Sequence, residues 1–281
     1  MTFELIRRWR IHAFAGMLAT FATPAWADDT LPPIRRFDIP TIEKLGRQMY
    51  EQDQEAWKAT DILRAKHSDD ELKAGNLHGW IVDPFPDRDV VRFIHDGANG
   101  PEAFYDVTFA KGAEPVLSEP QNRVLNSEEL AQYSARTLAL KNVERPCSDR
   151  YNTIVLKDLE RNGWLVWALA ATTEPGVVLY GGHYRFSISK DGKTVVQRDA
   201  LSKGCMNAPP PDPTKGNMVM MAFIQLVSDV PVETVVWLNL EHKLPVMIIT
   251  PDRKEWTITD GHISQTGALT ARAQASPEER K

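Results

Sequence analysis

Residues 153–171 read TIVLKDLERNGWLVWALAA, and this stretch decides the fold class. The pair Asn162-Gly163 accepts the positive backbone φ that tight hairpin turns require, so two antiparallel strands are predicted, Thr153–Glu160 and Trp164–Ala171. The second strand is apolar without alternation from Trp164 to Ala170. A strand of that kind is covered on both faces, and we therefore expect it at the centre of a sheet.

The next segments repeat the pattern around Asp191-Gly192. Val177–Ser189 and Thr194–Ala200 flank this pair, and two hairpins in series predict an antiparallel meander. A two-residue turn at Asp191-Gly192 would place Arg185 opposite Arg198 on the neighbouring strand.

This register predicts a ligand site. Arg185 and Arg198 would present two guanidinium groups on one face, with His183 further along it, and such a pair can hold a carboxylate or a phosphate. The alternative is a solvated polar face, because exposed charges usually contribute little. We therefore expect a small anionic ligand at Arg185, Arg198 and His183.

Further strands are predicted on both sides of the hairpins. They are short segments rich in aromatic and β-branched residues and separated by turn residues. Those before the hairpins are Gly79–Phe85, Val90–His95 and Ala103–Ala110, and those after them are Met218–Val227, Thr234–His242, Pro245–Thr250 and Glu255–Thr259.

Two segments have the pattern of amphipathic helices. Ile39–Lys66 follows the potential cap Asp38 and carries Pro40 in its first turn, with apolar residues close to a 3.6 period. The second helix begins at Asn126, where Glu129 three residues on completes a capping box. It is followed at helical spacing by Leu130, Tyr133, Thr137 and Leu140.

Together these elements predict an α+β fold, mainly an antiparallel sheet built as a meander of hairpins and packed with two principal helices. A predicted helix followed by predicted strands occurs twice, in 39–110 and in 126–200, and this order would fit a duplicated unit. We expect one globular domain over 39–265, with a leader before it and a disordered tail or short helix after it. The remaining boundaries are a leader at 28–38, a sub-boundary that could fall near 110–126, a proline-rich loop at 208–216 and a tail at 266–281.

The first 27 residues have the parts of a secretory signal peptide. Arg7, Arg8 and Arg10 make a positive start, residues 11–24 are apolar or small, and Ala25-Trp26-Ala27 fits the cleavage rule. We expect cleavage after Ala27 and a periplasmic or secreted protein. An uncleaved membrane tether is one alternative, but the apolar run is shorter than the roughly 20 residues that span a bilayer. A twin-arginine signal is the other, but Arg10 falls where such a signal would want an apolar side chain.

Cys147 and Cys205 are the only two cysteines, and both lie in the exported part. An even pair in an oxidising compartment predicts a disulfide. A metal site is the competing interpretation, but no histidine or second cysteine stands at zinc spacing beside either thiol.

The charge of the chain excludes some partners. Signal cleavage would change the net charge from −5 to −7, because it removes three arginines and the single acid Glu4. A general nucleic-acid binder would carry a basic excess instead. No later segment has the length and apolarity of a membrane helix.

The sequence carries no local catalytic signature, neither a G-x-S-x-G elbow nor a P-loop nor H-E-x-x-H. The acidic clusters Asp69-Asp70-Glu71 and Asp83, Asp87, Asp89 match no known calcium loop, and we expect no metal and no cofactor. We expect a non-catalytic binding or accessory protein of the envelope, with an envelope protein or a small anionic ligand as its partner. The alternative is an envelope hydrolase that uses His95, Asp96 and His183.

Overall fold

A computed structural model describes residues 33–144, 146–208 and 219–268. The predicted signal peptide, the start of the leader, nearly all of the proline-rich loop and most of the tail lie outside these residues. Among the described residues, no helix combines the length and the apolarity needed to cross a bilayer.

The described part contains four helices and fourteen strands, which agrees with the predicted α+β class. The helices are α1 (Ile39–Arg64), α2 (Asp69–Ala74), α3 (Ser127–Lys141) and α4 (Glu233–His242). The strands are β1 (Leu77–Pro84), β2 (Arg88–Gly97), β3 (Gly100–Ala110), β4 (Val116–Ser118), β5 (Arg150–Asp158), β6 (Gly163–Ala171), β7 (Val178–Leu179), β8 (Tyr184–Ile188), β9 (Val195–Ala200), β10 (Asn207–Ala208), β11 (Met221–Ile224), β12 (Val246–Ile249), β13 (Lys254–Thr259) and β14 (His262–Ala268).

Three four-stranded sheets organise these strands. The first sheet has the order β1-β2-β3-β4, the central sheet β5-β6-β8-β9 and the third sheet β11-β12-β13-β14. A two-stranded pair, β7 with β10, stands apart from them. The predicted meander corresponds to the central sheet, in which every neighbouring pair is antiparallel.

Strand β6 lies inside the central sheet and is buried on both faces, as its unalternating sequence predicts. Trp164, Val166 and Ala168 pack with α3 on one face, whereas Leu165, Trp167 and Leu169 pack with α1 and α4 on the other. The connection before it spans residues 159–162, with φ +50° at Asn162. It is therefore a four-residue loop rather than a two-residue turn.

Helix α3 begins at the predicted capping box. The Asn126 side chain accepts hydrogen bonds from the backbone N–H groups of Glu128 and Glu129, and the Glu129 carboxylate accepts from the N–H of Asn126. Its buried apolar residues, however, are alanines at positions 131, 135 and 139, and Leu130 is exposed. Small side chains let the helix axis approach the central sheet closely.

Helix α4 corrects the prediction of a strand over Thr234–His242. Strands β11 and β12 are parallel neighbours, and a parallel pair needs a crossover connection, which α4 provides. Seven of its ten residues are buried. A short apolar run that is buried all round has the same sequence pattern as a buried strand, and this explains the error.

Helix α1 connects two hydrophobic cores. Ile42, Leu45 and Met49 pack against α4 and the central sheet, whereas Ala59 and Leu63 pack against the first sheet. Between them, the Gln52 amide makes two hydrogen bonds with the backbone of Val155 (2.8 and 3.2 Å). These bonds occupy part of the open edge of β5, because β5 is the outer strand of its sheet.

The predicted disulfide is formed, with 5.3 Å between the Cα atoms of Cys147 and Cys205. It links the segment before β5 to the segment after β9. Gly182 lies against it, where a Cβ would be 2.4 Å from the Cβ of Cys147, and Gly182 has φ +84°. The chain therefore turns at this glycine, which divides the predicted strand Val177–Ser189 into β7 and β8.

Candidate functional site

The predicted pairing of Arg185 with Arg198 is wrong because of a bulge in β9. Ile188 lies opposite Val195, as a turn centred on Asp191-Gly192 requires, but Ser187 lies opposite Gln197. The extra residue shifts the register by one, so that Arg185 faces Asp199. A one-residue shift moves a side chain to the other face of the sheet.

The two arginines accordingly bind different acids. Arg185 is 1% exposed, and its guanidinium donates to Glu233 (2.9 Å to each oxygen) and to Asp199 (2.7 Å). Arg198 forms an ion pair with Glu144. The structure does not bring the two guanidinium groups together to grip one anion.

The Arg185 network is structural because it fastens the leader to the central sheet. Arg185 donates to the backbone carbonyl of Arg35, and the Arg35 guanidinium binds Asp158 (2.5 Å) and Glu160 (2.7 Å). The ring of Phe37 contacts both guanidinium groups, at 4.6 and 4.8 Å from its centroid.

The histidines of the predicted sites also have structural roles. His183 is fully buried, its Nδ1 accepts a hydrogen bond from the Ala170 N–H (3.0 Å), and burial lowers its pKa to about 4. His95 stacks on Phe104 in the first sheet, and Asp96 contacts His78 instead (3.1 Å). His95 and Asp96 therefore lie on β2 of the first sheet, whereas His183 lies just before β8 of the central sheet, and the predicted hydrolase residues do not form one site.

The acidic clusters do not form a metal site. Asp69, Asp70 and Glu71 are the first turn of α2, where Ser68 and Glu71 complete a capping box. In the part of the chain that the structure describes, no three His, Cys, Asp or Glu side chains are grouped so that they could hold a metal ion.

A site that the sequence did not suggest lies between α1 and the end of α4, and we name it the α1–α4 cleft. It is a cavity of about 490 Å³ that also reaches β1 and β5. Its lining combines three aromatic residues, two acids and two amides among ten residues: Tyr50, Asp53, Gln54, Ala56, Trp57, Thr60, Trp80, Asn152, Glu241 and Lys243.

One face of α1 supplies much of this lining. Tyr50, Asp53, Gln54 and Trp57 are spaced i, i+3, i+4 and i+7, so they lie in a row along the helix. Trp57 is 61% exposed. A tryptophan that lies off the buried face of an amphipathic helix is the feature of the sequence that could have indicated the cleft. It can be recognised only once the buried face of α1 is known.

The two acids of the cleft differ in their surroundings. Asp53 accepts a hydrogen bond from the Trp237 indole N–H (3.2 Å), and burial, together with the nearby charge of Glu241, raises its pKa to about 6. Glu241 accepts a hydrogen bond from the Gln54 amide (2.7 Å). A carboxyl with a raised pKa thus lies near one that accepts a hydrogen bond from an amide.

A second cavity, of about 410 Å³, lies between α1 and the β5–β6 hairpin, and its charged groups are largely satisfied. Arg35 is bound to Asp158 and Glu160, and Lys157 is bound to Glu128. A broader depression of about 1010 Å³ adjoins it at the same Lys157–Glu128 pair. The α1–α4 cleft has the stronger combination of exposed aromatic surface and an acid with a raised pKa, which marks candidate sites.

No family model, curated protein or solved structure matches this chain. The class of ligand that the cleft could bind is therefore inferred from its lining side chains alone. They offer aromatic faces, negative charge and amide groups that can donate and accept hydrogen bonds.

Proposed function

We propose that this chain is an exported protein of the cell envelope that binds a small organic cation in the α1–α4 cleft and does not act on it chemically. The observation that carries the proposal is the exposed Trp57 in one cavity with Asp53 and Glu241. The faces of aromatic rings attract cations, and most strongly when the cation is desolvated.

The charge of the cleft favours a cation over the small anionic ligand that the sequence suggested. Asp53 and Glu241 would both repel an anion, and the single basic residue of the lining, Lys243, is exposed to solvent. An accessory role, in which an envelope protein pairs with an open strand edge, has weaker support from the uncharged edge strand β11.

Export is supported by the signal-like first 27 residues and by the disulfide, which persists in oxidising compartments. Expression of the full chain in a bacterial host, followed by N-terminal sequencing of the envelope fraction, should give a chain that begins at Asp28. Recovery of a chain that still begins at Met1 in the cytosol would contradict the proposed export.

The binding proposal is tested by titrating the protein with choline and following tryptophan fluorescence, with glucose as a neutral comparison. We expect saturable binding of choline that weakens at least tenfold in Trp57→Ala and in Glu241→Gln. Phe85→Ala is the matched control, because Phe85 is an exposed aromatic residue outside the cleft. Binding of glucose but not choline, or an unchanged affinity for choline in Trp57→Ala, would contradict a cation site.

A hydrolase is the second candidate, and it is favoured by the unlike acids of the cleft. Two carboxyl groups in unlike surroundings can act as acid and base, and Asp53, whose pKa is raised, would be the proton donor for cleavage of a glycosidic bond. Release of nitrophenol from nitrophenyl glycosides, abolished in Asp53→Asn, would support this candidate. Choline binding without any turnover of these glycosides would favour the binding protein.

A further inference from the structure

Arg136 on α3 differs from the other buried arginines of the described chain. It is 7% exposed, and burial lowers its pKa while the Tyr133 hydroxyl is the only group that raises it. Arg35 and Arg185 each bind two carboxylates, as does the half-buried Arg92. Among the buried arginines of the described residues, Arg136 therefore differs in having no carboxylate partner.

The first sheet provides a shaped slot for this guanidinium. A Cβ added at Gly79 would lie 2.6 Å from the Arg136 Cζ, so the group occupies the space that a side chain would fill. Gly79 has φ +155° at an irregularity in the β1–β2 pairing. Its neighbour Trp80 places its ring 5.1 Å from the Arg136 Cζ. Backbone and indole thus hold Arg136 at a defined position.

The contacts of Arg136 with Gly79 and Trp80 do not satisfy its N–H donors. A guanidinium contacts rings through its flat face, whereas its five N–H donors lie in its plane. The buried Nε has no acceptor among the described residues. Burying a charge without an acceptor is costly, so an acceptor that fits this edge would be bound with a favourable change in free energy.

We propose that Arg136, held by Gly79 and Trp80, is a binding site for an oxyanion, the carboxylate or phosphate group of a small ligand. Oxyanions with two oxygens in one plane match the paired donors of arginine. Tyr133 lies three residues earlier on α3, and its hydroxyl is a further potential donor. Trp80 also lines the α1–α4 cleft, so the two proposed sites share one side chain, but neither proposal rests on the other.

The experiment measures thermal unfolding of the full mature chain at constant ionic strength, with chloride replaced stepwise by inorganic phosphate or by acetate. We expect a saturable rise in the melting temperature with one of these anions, because a ligand that binds only the folded state stabilises it. A response to phosphate assigns a phosphoryl ligand, and a response to acetate alone assigns a carboxylate. Equal melting temperatures in all three salts would overturn the proposal.

Two variants and a control assign the effect to Arg136. Arg136→Met keeps the aliphatic stem and should lose the anion response, and Arg136→Lys keeps the charge but loses the paired donors, so its affinity should fall at least tenfold. Arg150→Met removes an exposed arginine and should leave the response unchanged. If Arg136→Met does not fold, Arg136→Lys decides, and an unchanged anion response in either variant would overturn the proposal.

Discussion

Val196 is the residue that decides the role of Arg185. It is the extra residue of the bulge between the pairs Ile188–Val195 and Ser187–Gln197, and β-bulges re-aim the side chains that follow them. If Val196 paired regularly with Ser187, Arg185 would face Arg198. With the bulge Arg185 reaches Asp199 and Glu233, and a predicted ligand site becomes part of the core.

Replacing Arg185 by methionine should destabilise the fold by roughly 3 to 5 kcal/mol, because it leaves two buried carboxylates, Asp199 and Glu233, without their partner. Arg198→Met is the matched control on the next strand. Its pair with Glu144 is partly exposed, so its loss should cost about 1 kcal/mol or less. Urea unfolding measures both, and equal losses would contradict the structural role of Arg185.

Asp53 should make stability depend on pH. Its folded pKa of about 6 lies above the ordinary value of 3.8, so between pH 4 and 6 the folded state keeps a proton that the unfolded state has lost. Stability therefore falls as pH rises through this range. Asp53→Asn should remove that fall and leave the variant more stable than the native chain at pH 7 by roughly 2 to 3 kcal/mol.

Urea unfolding at pH 4, 5, 6 and 7 provides this measurement. Asp61→Asn is the control, because Asp61 is an exposed acid on the same helix. In Asp53→Asn the side-chain amide oxygen can still accept the Trp237 hydrogen bond, so a loss of stability at pH 7 would argue against a raised pKa at Asp53.

At the scale of elements, α1 and α4 show how contact between helices overrides local preference. Gly46 lies within α1, where glycine is unfavourable. A Cβ at this position would lie 2.4 Å from the Cβ of Val236 and 2.8 Å from the backbone oxygen of Glu233. The glycine therefore sets how closely the two helices approach.

Gly46→Ala should destabilise the protein by roughly 1 to 3 kcal/mol through this overlap, although alanine is the better helix former. The double variant Gly46→Ala with Val236→Ala should be less destabilised than the sum of the two single variants, because the second change removes the Val236 Cγ1, which would lie 2.6 Å from the new Cβ. Thermal unfolding of the four proteins measures the coupling. A more stable Gly46→Ala would show that the helices can separate without cost.

At the scale of the whole molecule, the sheets are joined by a few long-range ties. Helix α1 contributes to the core beneath the third and central sheets and to the core of the first sheet. The Arg35 network ties the leader to the central sheet, and the disulfide ties the segments on either side of that sheet. Each of these contacts joins residues that are far apart in the sequence, so its loss should lower the stability of the whole fold.

Replacing both cysteines by alanine should destabilise the protein by roughly 4 kcal/mol, because the 58-residue separation closes a long loop in the unfolded chain. Unfolding of the native chain with and without a reducing agent gives an independent measure of the same quantity. A reduced protein as stable as the oxidised one would contradict this expectation.

Sequence by itself determined the features whose causes are local. The cap of α1, the capping box of α3 and the double-faced burial of β6 follow from residue type and spacing, and the structure confirms each of them. The cysteine pairing followed from there being only two cysteines. Signal cleavage stays a prediction, because it concerns residues outside those described.

Tertiary structure alone decided the features whose causes lie on other elements. The bulge that turns Arg185 inward, the helical state of α4 and the position of Arg136 without an acid depend on strand register, on a parallel neighbour and on the slot at Gly79. The α1–α4 cleft likewise joins positions 50–60, 80, 152 and 241–243. Spacing along a chain reports which residues share a face of one element, whereas a site is made by faces of several elements that only packing brings together.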